Sequence, residues 1–209
     1  MMPRKLETAP NYSVHPSVKM IQSWIASLSE KTGKSLEEWI RLAKKSGPKD
    51  EAARAEWLKQ EHGLGTNAAW WISGYVEGRG LEDRDPDAYL EAAAQWVDAM
   101  FTGPKENLLP LYKRLLRLGQ KLGKDVRICP CRTIVPMYRK HVFAEIKPST
   151  RTRIDLGLAL KDFRGGGRLI ETGGLAKGDR ITHRVPLTSI DEVDDEVKTW
   201  LKMAYDLDK

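Results

Sequence analysis

In the second half of the chain, basic residues occur repeatedly in segments where polar and apolar residues alternate. Guanidinium groups fork onto phosphate or carboxylate oxygens and lysine adds a point charge, so several of them on one surface would bind an anion. The candidate anion-binding residues are Arg139, Lys140, Lys147, Arg151, Arg153, Asp155, His183 and Arg184. Tyr138 would add a ring that can stack on a base, whereas its neighbour Phe143 is predicted in the core.

Acid–base chemistry is the second possibility that these residue types raise. Asp155 with His183 or His141 would form an acid–base pair across neighbouring strands. No nucleophile motif accompanies them, and the run 165–167 of three glycines lacks the Lys-Ser/Thr and the helix of a phosphate-binding loop. We therefore predict no catalytic residues and favour a binding protein over an enzyme.

The two cysteines, Cys129 and Cys131, are separated by one proline. Structural zinc sites usually leave two to four residues between paired cysteines, and no second pair exists in this chain. The sequence therefore predicts two small buried residues, with no metal and no cofactor.

A glycine-rich turn, HGLGTNAA at residues 62–69, precedes an apolar helical pattern. Its pattern is typical of helix–hairpin–helix elements, in which glycines allow a tight turn and the N–H groups of the next helix bind a phosphate. The candidate residues are Gly63, Gly65 and Thr66. Because short Gly-x-Gly turns are common, an ordinary helix–helix turn, in which the glycines serve geometry alone, is the favoured interpretation.

The elements that would position these residues follow from hydrophobic periodicity. Strand-like alternation covers residues 126–128, 134–138, 142–146, 153–160 and 181–187. In the fourth strand the even positions from Ile154 to Leu160 are apolar and predicted to face the core. Arg151, Arg153 and Asp155 then face the other side.

Domain boundaries follow from breaks in the same patterns. Four short amphipathic helices are predicted in residues 15–78, after a flexible tail at 1–14 and before a charged linker at 79–86. Residues 87–209 combine helices with the strands, and the last helix is expected to start at the capping-box pair Ser189 and Glu192. The predicted class is α+β, a small helical bundle followed by an antiparallel sheet flanked by helices.

Charge is unevenly distributed along the 209 residues, whose formal net charge is +6. Residues 121–184 hold fifteen Lys/Arg against six Asp/Glu, whereas residues 190–209 hold three against seven. The basic part favours an anionic partner, unless the acidic last helix packs beside it and offsets it. Because the N-terminus lacks the apolar core of a signal peptide and no run could span a bilayer, we expect a cytoplasmic location and no membrane partner.

Two stretches carry a resemblance to known families. The segment KTGKSLEEWIRLAKKSG with EWLKQEHGLGTNAA, within residues 31–69, resembles the bacterial family called domain of unknown function 4287. Residues 96–205, with RKHVFAEIKPSTRTRIDLGLAL and HRVPLTSIDEVDDEVKTWLKMAY, are similar to domain of unknown function 5655. The resemblance implies a bacterial two-domain arrangement, but it supplies no activity and no catalytic residues to carry over. Cys129-Pro130-Cys131 departs from the polar or basic residues expected after the first strand.

Three functional hypotheses follow. The leading one is a non-enzymatic binding protein for an anionic partner, with nucleic acid as the favoured class. The second is a binding protein or enzyme for a small anionic ligand, such as a phosphorylated metabolite, in a pocket beside the sheet. The third is a protein-interaction module in which the helical domain presents Trp70 or Trp71 to a protein partner.

Overall fold

The computed structural model describes residues 12–209. Backbone contacts divide these residues into two compact units. One comprises Val14–Ala92, and the other comprises Ala93–Lys209 together with Tyr12 and Ser13. The predicted tail lies, up to residue 11, outside the described residues; Ser13 donates a backbone hydrogen bond of 2.8 Å to the carbonyl of Ile128.

The helices of residues 14–92 begin and end at local signals in the sequence. They are α1 (Pro16–Thr32), α2 (Leu36–Ser46), α3 (Glu51–Gln60) and α4 (Thr66–Val76), followed by a 3₁₀ turn at Leu81–Asp83. Pro16 takes the first helical position, where its missing N–H costs nothing. Ser35 and Glu38 form a capping box at the start of α2, which satisfies two backbone donors.

The core of this unit is aliphatic and aromatic, with one buried charge. Leu28, Leu36, Trp39, Leu58 and Ile72 are among its buried members. Inside it, the Arg54 guanidinium donates to the side chain and carbonyl of Ser73 and to the carbonyls of Pro48 and Lys49, and it pairs with the Glu77 carboxylate. The buried cation is thus surrounded by acceptors, as a buried charge requires.

Residues 93–209 form a six-stranded antiparallel sheet with helices. Helix α5 (Pro86–Met100), within which the division between the units falls, is followed by a 3₁₀ helix at Gly103–Leu108 and by α6 (Leu109–Gln120). The strands are β1 (Arg127–Ile128), β2 (Val135–Tyr138), β3 (Val142–Lys147), β4 (Ile154–Leu158), β5 (Ile170–Glu171) and β6 (His183–Leu187). The short α7 (Gly174–Lys177) precedes β6, and α8 (Asp195–Leu207) ends the fold. The strand order is β1-β2-β3-β4-β6-β5.

The long helices α6 and α8 pack on one face of this sheet. A Cβ added at Gly119 of α6 would lie 2.4 Å from the Met137 sulfur on β2, so the helix approaches the sheet closely where the side chain is absent. On α8, the Tyr205 ring meets Phe143 of β3 edge to face, with centroids 5.6 Å apart. Phe143 is fully buried, as predicted. We call this side of the sheet the helix-packed face.

The predicted fold class is confirmed: a helical N-terminal part precedes an α+β part with an antiparallel sheet. Some details differ. Neither the two-residue strand β5 nor the short helix α7 was predicted, and α8 starts at Asp195 rather than near Ser189. Glu192 accepts hydrogen bonds from the backbone N–H groups of Thr188 and Ser189 in a turn, and Asp194 caps the helix instead. Among the described residues, no helix is both long and apolar enough to cross a membrane.

Candidate anion-binding site

The other face of the sheet carries the polar side chains of β3, β4 and β6. Residues opposite one another on antiparallel strands share a face, and neighbours along a strand alternate. Ile154, Leu156 and Leu158 are fully buried, as the alternation predicts, and Asp155 lies on the opposite side. The register sets Lys147 opposite Asp155 and sets Gly157 between Glu145 and Arg184. We call this side the polar face.

Asp155 is the centre of a cluster on the polar face. Its Oδ1 lies 3.0 Å from Arg153 Nε and 3.3 Å from an Arg184 nitrogen, and its Oδ2 accepts a hydrogen bond of 2.7 Å from Ser149 Oγ. The Asp155 side chain is only 13 % exposed. Four of the predicted residues, Lys147, Arg153, Asp155 and Arg184, are therefore brought together, but two guanidinium groups share one carboxylate and much of their charge is neutralised.

The remaining predicted cations lie elsewhere. Arg139 and Lys140 form the turn before β3, while Lys147 ends β3, so they lie at opposite ends of a strand about 17 Å long. The Arg139 guanidinium pairs with Asp125 at 2.8 Å and lies over the Tyr205 ring, 4.2 Å from its centroid. Arg151 is exposed in the loop between β3 and β4. The predicted cations therefore do not form one continuous site.

The predicted pairing of Asp155 with a histidine does not occur. His183 lies opposite Leu158 and is therefore on the helix-packed face, where it is 1 % exposed. Its Nδ1 is 2.8 Å from Thr182 Oγ1, and its Nε2 has no partner among the described residues. His141 pairs with Asp208 at 3.0 Å instead. The reason is alternation along β6, which turns Arg184 rather than His183 towards Asp155.

Cys129 and Cys131 extend the pairing of β1 with β2. The Cys129 N–H donates to the Pro136 carbonyl at 3.1 Å, and the Cys131 N–H donates to the Ile134 carbonyl at 2.8 Å. Neither is in a disulfide. Burial raises the pKa of the Cys129 thiol to about 12 and also raises the pKa of Cys131. Both thiols are thus protonated at neutral pH, which suits the predicted structural role better than metal binding or nucleophilic attack. Across residues 12–209, no three His, Cys, Asp or Glu side chains gather to hold a metal ion.

Glu145 is a feature of the polar face that the sequence analysis missed. Its carboxylate lies over the bare backbone of Gly157, where an added Cβ would be 3.2 Å from Oε1. Burial raises the pKa of this carboxyl above its usual range, and the nearby Lys147 lowers it less. The alternation of β3 placed Glu145 on this face, but only the glycine opposite it explains why it lies flat against the sheet.

The predicted turn, Gly63-Leu64-Gly65, joins α3 to α4. Gly63 has φ of 67°, a left-handed conformation that favours glycine, and Gly65 is the N-cap of α4 without a side-chain cap. Gly63, Gly65 and Thr66 line one end of a groove of about 540 Å³ whose walls include Trp24 and Trp71. Residues 14–92 hold eleven Lys/Arg against thirteen Asp/Glu, so this turn belongs to a unit without a basic surplus.

A second basic surface, which the sequence reasoning missed, lies on helix α6 and the turn that follows it. Residues 107–124 contain five basic residues and no acidic one. Four of these side chains are exposed and Arg114 is half-buried, and within the described part of the chain none of the five pairs with a carboxylate. We call this surface the α6 basic face: Lys113, Arg114, Arg117, Lys121 and Lys124. The absence of acids between 107 and 124 was the signal that could have revealed it.

A small cavity lies beside the end of α8. Its volume is about 180 Å³, and its lining includes Lys161, Asp179, Arg180, Thr182 and Asp208. Lys161 has φ of 55°, the only left-handed non-glycine residue described. Asp208, with a side chain 3 % exposed, accepts hydrogen bonds from the His141 N–H at 2.7 Å and from Arg180 at 2.8 Å. A left-handed backbone residue, a buried carboxylate and exposed cations thus meet at one cavity.

Trp70 and Trp71, the residues behind the protein-interaction hypothesis, point in different directions. Trp70 is 48 % exposed. Trp71 is half-buried and contacts Trp24 edge to face, with centroids 4.7 Å apart. The protein-interaction hypothesis depends on an exposed indole, which Trp70 provides. The interaction itself stays a prediction.

Fold and surfaces together define a protein with a helical bundle followed by an α+β unit that carries a basic outer helix. A family described as Domain of unknown function (DUF5655) matches residues 97–208, and one described as Domain of unknown function (DUF4287) matches residues 20–77. Since the first match spans more than half of the 209 residues, the chain belongs to the DUF5655 family. The predicted two-family arrangement is confirmed. No curated protein and no solved structure gave a match.

Proposed function

We propose that this protein is a non-enzymatic binding protein for an anionic partner, with nucleic acid as the favoured class. One observation carries the proposal: the positive charge is concentrated in one unit. Residues 93–209 hold twenty-two Lys/Arg against fifteen Asp/Glu, whereas residues 14–92 hold eleven against thirteen. A unit with such a surplus attracts polyanions at long range and retains them through phosphate contacts.

The site chemistry supports binding over catalysis. Asp155 is engaged by Arg153 and Arg184, His141 by Asp208, and the thiols of Cys129 and Cys131 have raised pKa values. None of these groups is arranged as a nucleophile beside a base, the geometry that covalent catalysis requires.

The test is a fluorescence-anisotropy titration of the full chain against labelled duplex DNA, duplex RNA and single-stranded DNA at several salt concentrations. Binding is expected at low salt, with an affinity that falls steeply as salt rises. Absence of binding to all three at about 50 mM salt, or an affinity that salt does not change, contradicts the proposal.

A small charged ligand is the second candidate, favoured by the cavity beside α8. Lys161 and Arg180 line it, and its volume of about 180 Å³ is below the roughly 300 Å³ of usual ligand pockets, so it suits inorganic phosphate better than a nucleotide. Thermal-shift assays with phosphate test this candidate, since a ligand that binds only the folded state raises Tm. The shift should vanish in Lys161→Met and persist in Lys177→Met, which changes an exposed lysine outside the cavity lining. No shift with phosphate contradicts this candidate.

A further inference from the structure

The α6 basic face is the strongest source of unneutralised positive charge among the described residues. Several arginines elsewhere in this unit are paired with carboxylates: Arg139 with Asp125, Arg168 with Asp194 and Glu196, and Arg180 with Asp208. Among the five cations of the α6 basic face, the one side-chain hydrogen bond found in the described residues stays within the helix, from Arg117 Nε to the Lys113 carbonyl at 3.2 Å. The charge of this helix is therefore available to a partner.

Packing holds this charge in a fixed line. The opposite side of α6 is buried through Leu111, Tyr112, Leu115 and Leu116, so the helix cannot turn about its axis without exposing the core. Lys113, Arg117 and Lys121 follow one another at intervals of four residues, which puts them on one side of the helix over about 12 Å. A duplex carries one negative charge per roughly 1.7 Å of its axis, so a line of this length faces about seven phosphates.

The composition of the face indicates what it contacts. Its exposed members are Lys113, Arg117, Lys121 and Lys124, with no aromatic side chain among them. Proteins that bind single strands use aromatic rings on which bases stack, and base-specific readers place side chains in a groove. A face made of flexible cations alone contacts phosphates, and phosphate contacts carry no sequence information.

We infer that the α6 basic face binds the phosphate backbone of double-stranded nucleic acid without sequence preference. The inference rests on the proposed function, to which it adds the surface that makes the contact and the class of nucleic acid that is bound. It also moves the contact away from the sheet, where Asp155 neutralises the arginines that the sequence pointed to. If all five cations contact phosphates, log Kd changes with log salt by a slope of about 4.5, so the affinity falls about 500-fold between 50 and 200 mM salt.

The experiment compares three full-length proteins in the same duplex titration. The test variant is Lys113→Gln/Arg117→Gln/Lys121→Gln. The control, Lys44→Gln/Lys45→Gln/Lys49→Gln, removes the same charge from exposed lysines of residues 14–92. The test variant should bind about tenfold or more weakly at 50 mM salt and lose about 2.7 from its salt slope. The control should change the affinity by less than about threefold, and circular dichroism and Tm check that both variants are folded.

The outcomes separate the inference from the proposed function. If the wild type binds duplex and the α6 variant matches the control, the inference is wrong and the proposed function stands. If the wild type binds no nucleic acid at low salt, both fail. A preference for single strands of more than tenfold also overturns the inference, as does stronger binding of anionic phospholipid vesicles than of duplex, since the same cations would then serve a membrane surface.

Discussion

At the scale of single residues, the decisive result is that four of the nine arginines in residues 121–184 have carboxylate partners more than ten residues away in sequence. Arg139 meets Asp125, Arg184 meets Asp155, and Arg180 meets Asp208. Each pairing depends on strand register or on where α8 ends, and neither can be predicted by counting charges along the sequence. The charge available to a partner is therefore smaller on the sheet than the sequence suggests, and larger on α6.

Glu145→Gln should stabilise the protein at neutral pH. Burial raises the folded-state pKa of Glu145 above its ordinary value of 4.5, so the folded state favours the protonated form. The protonated Glu145 carboxyl therefore contributes its full stability below the ordinary pKa, and this contribution is lost as pH rises through the raised pKa of the folded state. The Tm of the variant should exceed that of the wild type at pH 7, and the difference should disappear near about pH 4.

Glu106→Gln is the matched control, because Glu106 is exposed in the same unit. It should leave Tm within about 2 °C of the wild type at both pH values. If the Tm of Glu145→Gln at pH 7 is unchanged or lowered, the ionised Glu145 carboxylate is either well solvated or stabilised by neighbouring charges that offset the cost of its burial.

Asp208→Asn should destabilise the protein, with an opposite dependence on pH. Burial opposes ionisation of Asp208, but the hydrogen bonds from His141 and the charge of Arg180 together hold the pKa of this carboxyl below its ordinary value of 3.8. The stability it contributes is present above that value and is lost as pH falls through the lowered pKa. Urea unfolding at pH 7 should show a loss of about 1–3 kcal/mol that shrinks below about pH 3.8.

Asp206→Asn provides the comparison, since Asp206, two residues before Asp208, forms a solvent-exposed pair with Lys202. Its loss should cost about 0.5 kcal/mol or less. Equal losses in the two variants would mean that burial of Asp208 does not strengthen its interactions.

At the scale of elements, the sequence predicted those with strong local signals. Helix α1 starts at Pro16 and ends before Gly33, whose φ of 74° is left-handed, and both limits follow from residue type. The apolar positions of β4 followed from alternation. In contrast, β5 has two residues and pairs only with β6, so no periodicity reveals it. The pairing of His183 with Asp155 was wrong because the face on which His183 lies is known only from its register with Leu158.

The capping box of α2 offers a test at this scale. Ser35→Ala removes the side-chain acceptor for the Glu38 N–H and leaves one donor of the first turn unsatisfied, at a cost of about 1 kcal/mol in urea unfolding. Ser29→Ala, at an exposed position inside α1, should be neutral or slightly stabilising because alanine is the better helix former. Equal effects of the two changes would show that the cap contributes nothing to the folded state.

At the scale of the whole molecule, most of the buried apolar residues described fall into two hydrophobic clusters that share no member. Leu58 belongs to the cluster in residues 14–92 and Leu156 to the cluster in residues 93–209, and both are fully buried. Each unit thus has a core of its own, which is the condition for separate local stability.

Leu58→Ala and Leu156→Ala should each loosen one core and leave the other unchanged. Each deletes a fully buried side chain at a cost of about 2–5 kcal/mol. Hydrogen exchange followed by mass spectrometry should show faster exchange in α2–α4 for the first variant and in β3–β4 for the second. Faster exchange in both units from one substitution would show that the two cores unfold as one.

The tryptophans make this division visible to spectroscopy. Five of the seven, at positions 24, 39, 57, 70 and 71, lie in residues 14–92, and two, Trp96 and Trp200, lie in residues 93–209. Intrinsic fluorescence therefore reports mainly on the helical unit, while far-ultraviolet ellipticity averages over both. A denaturation curve followed by emission alone would describe the half of the molecule without the basic helix, and the two signals recorded together would separate the halves without any label.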